Sequence, residues 1–429
     1  MSRYFRIMQK CLALVLVFVI GISAVACSSK SEKENVPDDM VLETSEEVTI
    51  WYSNVIYKDY LAAVSEALHA ANSKLTVNVV FISKDDYLTK IYDASMREEK
   101  GPDVYIADSS ELEKIWSMGL VAENNSYSSN YTADNYCDNA IQAATFNGKL
   151  YGYPLCYNVA FMAYNPSYAY EISTFTQLKE YISKFESSED NADIKQIVAW
   201  DVTDMFLNFP FSAGSVQIGG VTGDDSTIAE TDEVKLAAAM KEFLTFRDEY
   251  GIVSEMSTRA FCNELFRNGS MSYTIMDMRD LKSVVDSGVS FNVQSIPAMT
   301  DSLKANTNTL SETTLALVSP YAKNVELAKN VANALSFEYA PQLFEKTGYL
   351  SAKNVAFEGD YADEYKKLHE IYANSNIKAQ FRGASSMYAY YEILINQVWS
   401  GEDISESVSK FASQLKPREI QTESQSVAQ

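Results

Sequence analysis

Strand-like and helix-like segments alternate over residues 48–118, and this alternation constrains the fold more than any other feature of the chain. Residues 48–52 form a short apolar run that ends in the polar pair Ser53 and Asn54. Leu61, Val64, Leu68 and Ala71 then recur at helical spacing and mark one amphipathic face. Residues 75–82 are rich in β-branched residues, residues 85–100 have a helical pattern that stops at Gly101 and Pro102, and residues 103–107 again read as a strand. Asp108, Ser109 and Ser110 follow as a helix-capping sequence for residues 111–118. The run is βαβαβ, so the expected class is α/β. Open sheets of this kind place ligands at the carboxyl ends of their strands.

The pattern changes after residue 123. Residues 124–136 read as a surface loop, and two short strands are expected at 150–154 and 159–164, with 155–158 between them. Further strands are expected at 196–200, 271–276, 289–297 and 313–318. Helices are expected at 174–186, 232–250, 324–346, 361–374, 385–399 and 402–415, and residues 219–226 read as a turn-rich loop. The tail 417–429 is polar.

The chain begins with Arg3, Arg6 and Lys10 ahead of an uncharged apolar stretch over residues 11–26. Sixteen residues are short for a membrane span, which needs about 20, so residues 1–26 read as a signal peptide. Taking its three cations from the net charge of −23 leaves −26 on the remainder. So acidic a body is not expected to bind nucleic acid or a polybasic-seeking membrane surface. Residues 28–46 are polar and aperiodic, as in a flexible tether of about 19 residues that spans on the order of 25 Å. Two His and five Cys give no zinc spacing, so neither a metal nor a cofactor is expected. Cys137, Cys156 and Cys262 leave two readings open: a Cys137–Cys156 pair, or three buried thiols. His69 and His369 fall on expected helices and read as solvated or partly buried. Gly-x-Ser-x-Gly, His-Glu-x-x-His, Walker A and strand-linked Gly-x-Gly-x-x-Gly motifs are absent, so no enzyme is expected. Only a paired-carboxylate glycosidase leaves no local signature to look for.

Residues 24–27 (AVAC) resemble a bacterial lipobox, with Ala24 where that motif prefers Leu; the resemblance implies lipidation, as by palmitate, at Cys27. Several strings further on resemble, in family order, the extracellular solute-binding proteins of ABC importers, in particular the maltose-binding-like carbohydrate receptors. They are VTIWY at 48–52, GPDVY at 101–105, GLVAE at 119–123, NGKLYGYP at 147–154, YNP at 164–166, FRNG at 266–269, SP at 319–320 and ELAK at 326–329. The resemblance spans about residues 47–415. It implies a two-lobe periplasmic-binding-protein-like fold, with lobe one at 47–156 plus 312–346 and lobe two at 157–311 plus 347–416, closing near 156–161 and 312 around an interlobe cleft. It also implies a monomeric receptor on the outer face of the cell membrane that passes a carbohydrate to an ABC permease.

A sugar site needs aromatic faces for stacking, and carboxylates, amides or Arg for hydroxyls. Strand exits supply the candidates: Trp51, Ser53 and Asn54; Asp108, Ser109 and Ser110; Trp200, Asp201, Thr203 and Asp204; Asp277 and Arg279. The crossover adds Tyr157 and Asn158, and a late helix adds Tyr388. By the resemblance, Arg279 and Tyr388 stand where maltose receptors carry aromatic contacts, which points away from maltose itself and towards a decorated, acidic or non-α-glucan sugar. Two other readings compete: a receptor for a cationic solute such as a polyamine, drawn from the aspartates at strand exits, and a surface adhesin with no small-molecule affinity.

Overall fold

The computed structural model describes residues 46–97, 101–185, 191–220, 222–300, 302 and 309–415. The expected signal peptide, Cys27, the expected tether up to residue 45 and the tail 417–429 lie outside the described residues.

Strand β1 (Glu46–Tyr52) buries Val48, Ile50 and Tyr52 and leaves Glu47, Thr49 and Trp51 more open, the period-two signature of a strand. It pairs in parallel with β2 (Leu75–Phe81) and β3 (Val104–Asp108). The helix Lys58–Ala71 carries the first crossover and buries Tyr60, Leu61 and Val64; the helix Tyr87–Met96 carries the second and buries Leu88 and Ile91. Parallel pairing requires such crossovers, so the carboxyl ends of all three strands emerge on one edge.

A small hairpin, β4 (Thr145–Phe146) and β5 (Lys149–Leu150), precedes β6 (Tyr153–Tyr164). Later strands are β7 (Gln196–Val198), β8 (Val216–Gly219), β9 (Asp225–Thr231), β10 (Met271–Asp277), β11 (Asn292–Gln294), β12 (Leu310–Val318) and β13 (Asn376–Ile377). The main sheet runs β2-β1-β3-β12-β6-β10-β7, with β11 also on β6 and β13 on β12.

Two strands serve both halves of this sheet. The first part of β6, from Tyr153 to Val159, pairs with β12, and the rest, from Ala160 to Tyr164, pairs with β10. In the same way β12 pairs with β3 from Thr314 to Val318 and with β13 at Leu310 and Ser311. Being covered on both faces, β6 is buried along its whole length except at Asn158. This corrects the two short strands expected from the sequence. Pro154 cannot donate to a ladder, and a register shift between Thr314 and Leu315 absorbs the misfit so that one strand continues through it.

The hydrophobic core is divided accordingly. Tyr105, Leu112, Ile115, Leu120, Leu315 and Leu317 belong to one cluster, and Trp200, Phe211, Phe243, Tyr273, Tyr391 and Phe411 to another. The helix expected over 324–346 is broken: Val325–Asn333 passes into a π-helical turn over Ala334–Glu338, then a 3-10 turn containing Pro341, then a short helix Leu343–Thr347. The turn-rich loop expected at 219–226 overlaps an antiparallel pair, β8 and β9, that the sequence pattern does not show; Gly219 ends one strand and Asp225 begins the other. All three described cysteines are free, with Cys156 and Cys262 buried and Cys137 half-buried.

Candidate functional site

Three adjoining hollows of about 430, 300 and 340 Å³ open at the carboxyl edge of β1, β2 and β3 and share Lys84 and Asp108. From that edge come Ser53 and Asn54 after β1, Lys84 after β2, and Asp108 and Ser110 after β3. β12 contributes Glu312 and Thr314, and β6 contributes Asn158. Asp204, Met205, Phe206, Arg279, Lys378 and Glu392 enter from the other core's side. Gly348, with φ of +76°, ends the helix Leu343–Thr347 and turns the chain so that Tyr349 also reaches the wall. A Cβ there would stand 2.6 Å from that of Lys282, so both the turn and the close approach favour glycine.

Glu312 accepts hydrogen bonds from Ser110 Oγ at 2.6 Å and Lys378 Nζ at 2.9 Å. Asp108 Oδ1 accepts from Thr314 Oγ1 at 3.1 Å, and the same hydroxyl lies 3.0 Å from that of Tyr57. Burial, followed by the Glu312 charge, pushes Asp108 up to about 6. Burial also pushes Glu312 upward, but Lys378 and the Ser110 hydrogen bond outweigh it and hold Glu312 below the usual range.

Opposite this group lies a lattice of ion pairs. The fully buried Asp277 caps the helix Met278–Ser287 through Arg279 N at 2.9 Å and accepts from Arg259 Nη1 and Nη2, both at 3.1 Å. Arg279 grips the same carboxylate through Nε at 2.9 and 3.0 Å and reaches Asp204 Oδ2 with Nη2 at 3.1 Å. Arg259 also binds Asp204 at 2.8 Å and Asp280 at 2.5 Å. Burial raises Asp204, but the Arg259 hydrogen bond and the Arg279 charge more than reverse it and leave the group below its ordinary value. Asp280 stays high, at about 6, because burial outweighs Arg259 and Asp277 adds repulsion.

Of the fifteen candidate residues, Ser53, Asn54, Asp108, Ser110, Asn158, Asp204 and Arg279 line these hollows. The others have different places. Trp200 is fully buried against Phe175, Phe211 and Phe246, with its Nε1 on Asn208 Oδ1 at 2.9 Å, so it belongs to the core and not to a stacking platform. Tyr157 is buried and stacked on Tyr372 at 4.0 Å. Tyr388 is buried, its hydroxyl accepting from Ala379 N at 3.0 Å. Ser109 is buried and accepts from Thr313 N at 3.3 Å. Trp51 packs half-buried on the first core. Asp201 closes a local turn through Thr203 N and Oγ1 and meets Arg259 N at 3.2 Å. Thr203 is exposed, and Asp277 acts as the anchor of the two arginines.

Sequence reasoning missed Lys84, Glu312, Lys378, Tyr349 and Glu392. Lys84 follows β2 and was within reach of the strand-exit rule. Glu312 lies inside β12, and Lys378 and Tyr349 lie in irregular segments far along the chain, so no local pattern marks them.

The family model of bacterial extracellular solute-binding proteins matches residues 63–372. The chain belongs to this family. No curated protein matches it in sequence. Among solved structures it is similar to the Staphylococcus aureus extracellular solute-binding protein in complex with maltose, at 14% identity over 86% of this chain and 96% of that one, with a TM-score of 0.69. It is also similar to the Thermus thermophilus maltotriose binding protein bound with maltotriose (15% identity, 86% and 98% covered, TM-score 0.67). A third is an ABC substrate-binding protein from Listeria monocytogenes in complex with cycloalternan (16%, 86% and 97%, TM-score 0.66). At these identities the likeness concerns the fold, which is the two-lobe periplasmic-binding-protein architecture. In this solute-binding protein the hollows offer carboxylates, amides, hydroxyls and cations at close quarters. That donor and acceptor set can hold a polyhydroxylated solute by hydrogen bonds.

Proposed function

We propose that this solute-binding protein captures an oligosaccharide in the hollows around Asp108, Glu312 and Arg279 and delivers it to an ABC permease. The carrying observation is the mixed lining. Carboxylates (Asp86, Asp108, Glu111, Asp204, Glu312, Glu392) stand among cations (Lys84, Lys114, Lys378, Arg279), amides and hydroxyls, a mixture that suits uncharged hydroxyls. Support comes also from the sugars in the titles of the similar structures. Because none of the four Trp lines the hollows, hydrogen bonding rather than indole stacking carries the recognition. The four cations argue against the polyamine reading, since each would repel an ammonium group.

In this reading the lobes are 47–156 plus 312–346 and 157–311 plus 347–416, and they close by bending β6 and β12 near residues 156–161 and 312. Closure follows from the differential affinity of a solute that touches both lobes. Cys27 carries the lipid that anchors a monomer to the outer face of the membrane, and the protein performs no bond-breaking chemistry. A thermal-shift screen of residues 28–429 against neutral oligosaccharides, uronic-acid sugars and polyamines tests the proposal. A solute at about 100 times its Kd adds roughly 2.7 kcal/mol to native stability. A polyamine hit with silence across the sugars would replace this reading with the cationic one.

A further inference from the structure

We propose that Arg259, which lines none of the three hollows, is a positioning residue for the solute site: it fixes the two carboxylates that hold Arg279, so that Arg279 meets the solute with one free edge. This rests on the carbohydrate-receptor reading and deepens it.

The donors of Arg279 carry the argument. A guanidinium has five N–H groups in one plane, one on Nε and two on each Nη. In Arg279, Nε is spent on Asp277 at 2.9 and 3.0 Å, and Nη2 is spent on Asp277 Oδ2 and, at 3.1 Å, on Asp204 Oδ2. Among the described residues no hydrogen bond uses Nη1. Arg279 is nevertheless the most exposed side chain of the lattice, at 44%, and lines the hollow of about 340 Å³. The two N–H groups of Nη1 suit neighbouring hydroxyl oxygens of a sugar ring.

Arg259 decides where that edge points. Its Nη2 meets the same two oxygens, Asp204 Oδ2 at 2.8 Å and Asp277 Oδ2 at 3.1 Å, and its Nη1 meets Asp277 Oδ1 at 3.1 Å. Asp204 and Asp277 cap different helices, Met205–Asn208 and Met278–Ser287. A planar fork across both carboxylates sets their spacing in a way that a point charge cannot. Arg259 is itself held on several sides. Thr258 caps the helix Arg259–Arg267 through Phe261 N at 3.4 Å, and Asp201 accepts from Arg259 N at 3.2 Å. Asp280, steadied by Asn263 at 3.1 Å, accepts from Arg259 Nη1 at 2.5 Å. Without Arg259, three carboxylates are left to one guanidinium, and Arg279 is drawn inward, away from the hollow. A donor fixed in advance also spares the solute the ordering cost of a mobile side chain.

The test combines calorimetry with maltotriose and NMR of the arginine side chains. Arg259→Gln should weaken maltotriose binding about tenfold, whereas in an Arg279→Gln background the same change should cost no more than about twofold. Arg259→Lys, which keeps the charge and loses the fork, should bind as weakly as Arg259→Gln. In solute-free protein the Arg279 Nε–H signal, assigned by its loss in Arg279→Gln, should shift and broaden in Arg259→Gln. Equal losses in both backgrounds, unchanged affinity in Arg259→Lys, or an Arg279 signal that ignores Arg259→Gln each overturn the proposal. If Arg259→Gln does not fold, Asp280→Asn takes its place, since Asp280 bonds Arg259 and not Arg279. It should weaken binding about threefold, again only when Arg279 is present, and unchanged affinity and an unmoved Arg279 signal there overturn the proposal. If the wild-type protein ignores maltotriose, the result counts against the carbohydrate reading, and the Arg279 signal alone then decides the positioning role.

Discussion

The strand exits of the first core and the exit after β7 answer the same rule differently. Ser53, Asn54, Asp108 and Ser110 leave their strands with side chains in the cleft. After β7, Trp200 turns into the core, Asp201 and Thr203 close a turn on one another, and only Asp204 reaches the hollow. The difference teaches that a strand exit fixes where a residue sits but not which way its side chain points. The two sides differ also in how far their charges are satisfied. Asp277 is saturated by two arginines, whereas Asp108 has one neutral hydroxyl.

If Trp200 is core and not platform, Trp200→Ala should cost about 3 to 5 kcal/mol of stability in urea unfolding. A loss of solute affinity at unchanged stability would reverse its placement. Asp277→Ala should cost about 3 kcal/mol by the same measurement, because it strands two partly buried guanidinium groups. Asp108→Asn should act in the opposite direction and stabilise the protein at pH 7, by about 2 kcal/mol. The sign follows from linkage. Folding raises the Asp108 midpoint to about 6, so between about pH 4 and 6 the native state holds more protons than the unfolded chain and wild-type stability falls as pH rises. Melting curves of the two proteins should therefore converge near pH 4 and separate by pH 7. Glu312→Gln weakens the Lys378 and Ser110 contacts and should reduce solute affinity at least tenfold, or about 1.4 kcal/mol, in calorimetry. Thr203→Ala, on an exposed turn outside the hollows, should change stability by no more than about 0.5 kcal/mol and affinity not at all.

Much of the first half of the fold was legible. The βαβαβ run over 48–118 matches β1, β2 and β3 with their crossover helices, because each strand alternates or is wholly apolar and each helix carries one apolar face. β6 was misread as two strands because a strand buried on both faces loses its alternation and Pro154 resembles a break. The helix at 324–346 was overextended because apolar periodicity runs on through the π-turn and across Pro341.

The cleft was legible only where chemistry sits at a strand end. Ser53, Asn54 and Asp108 could be found because three parallel strands must end on one edge. Glu312 and Lys378 meet at 2.9 Å although 66 residues separate them, and no local pattern encodes a meeting of that kind. The sequence by itself determined the α/β class, the acidic body and the edge at which a ligand would sit, since these depend on periodicity, charge and the direction of parallel strands. Only the tertiary structure decided that all four Trp stay out of the hollows, with Trp200 in the core, while Tyr57, Tyr87, Phe206 and Tyr349 share the cleft with ion pairs and hydroxyls. The physical reason is that the choice between core and cleft depends on which faces the folded chain covers, and β6 and β12 set that by belonging to both halves of one sheet.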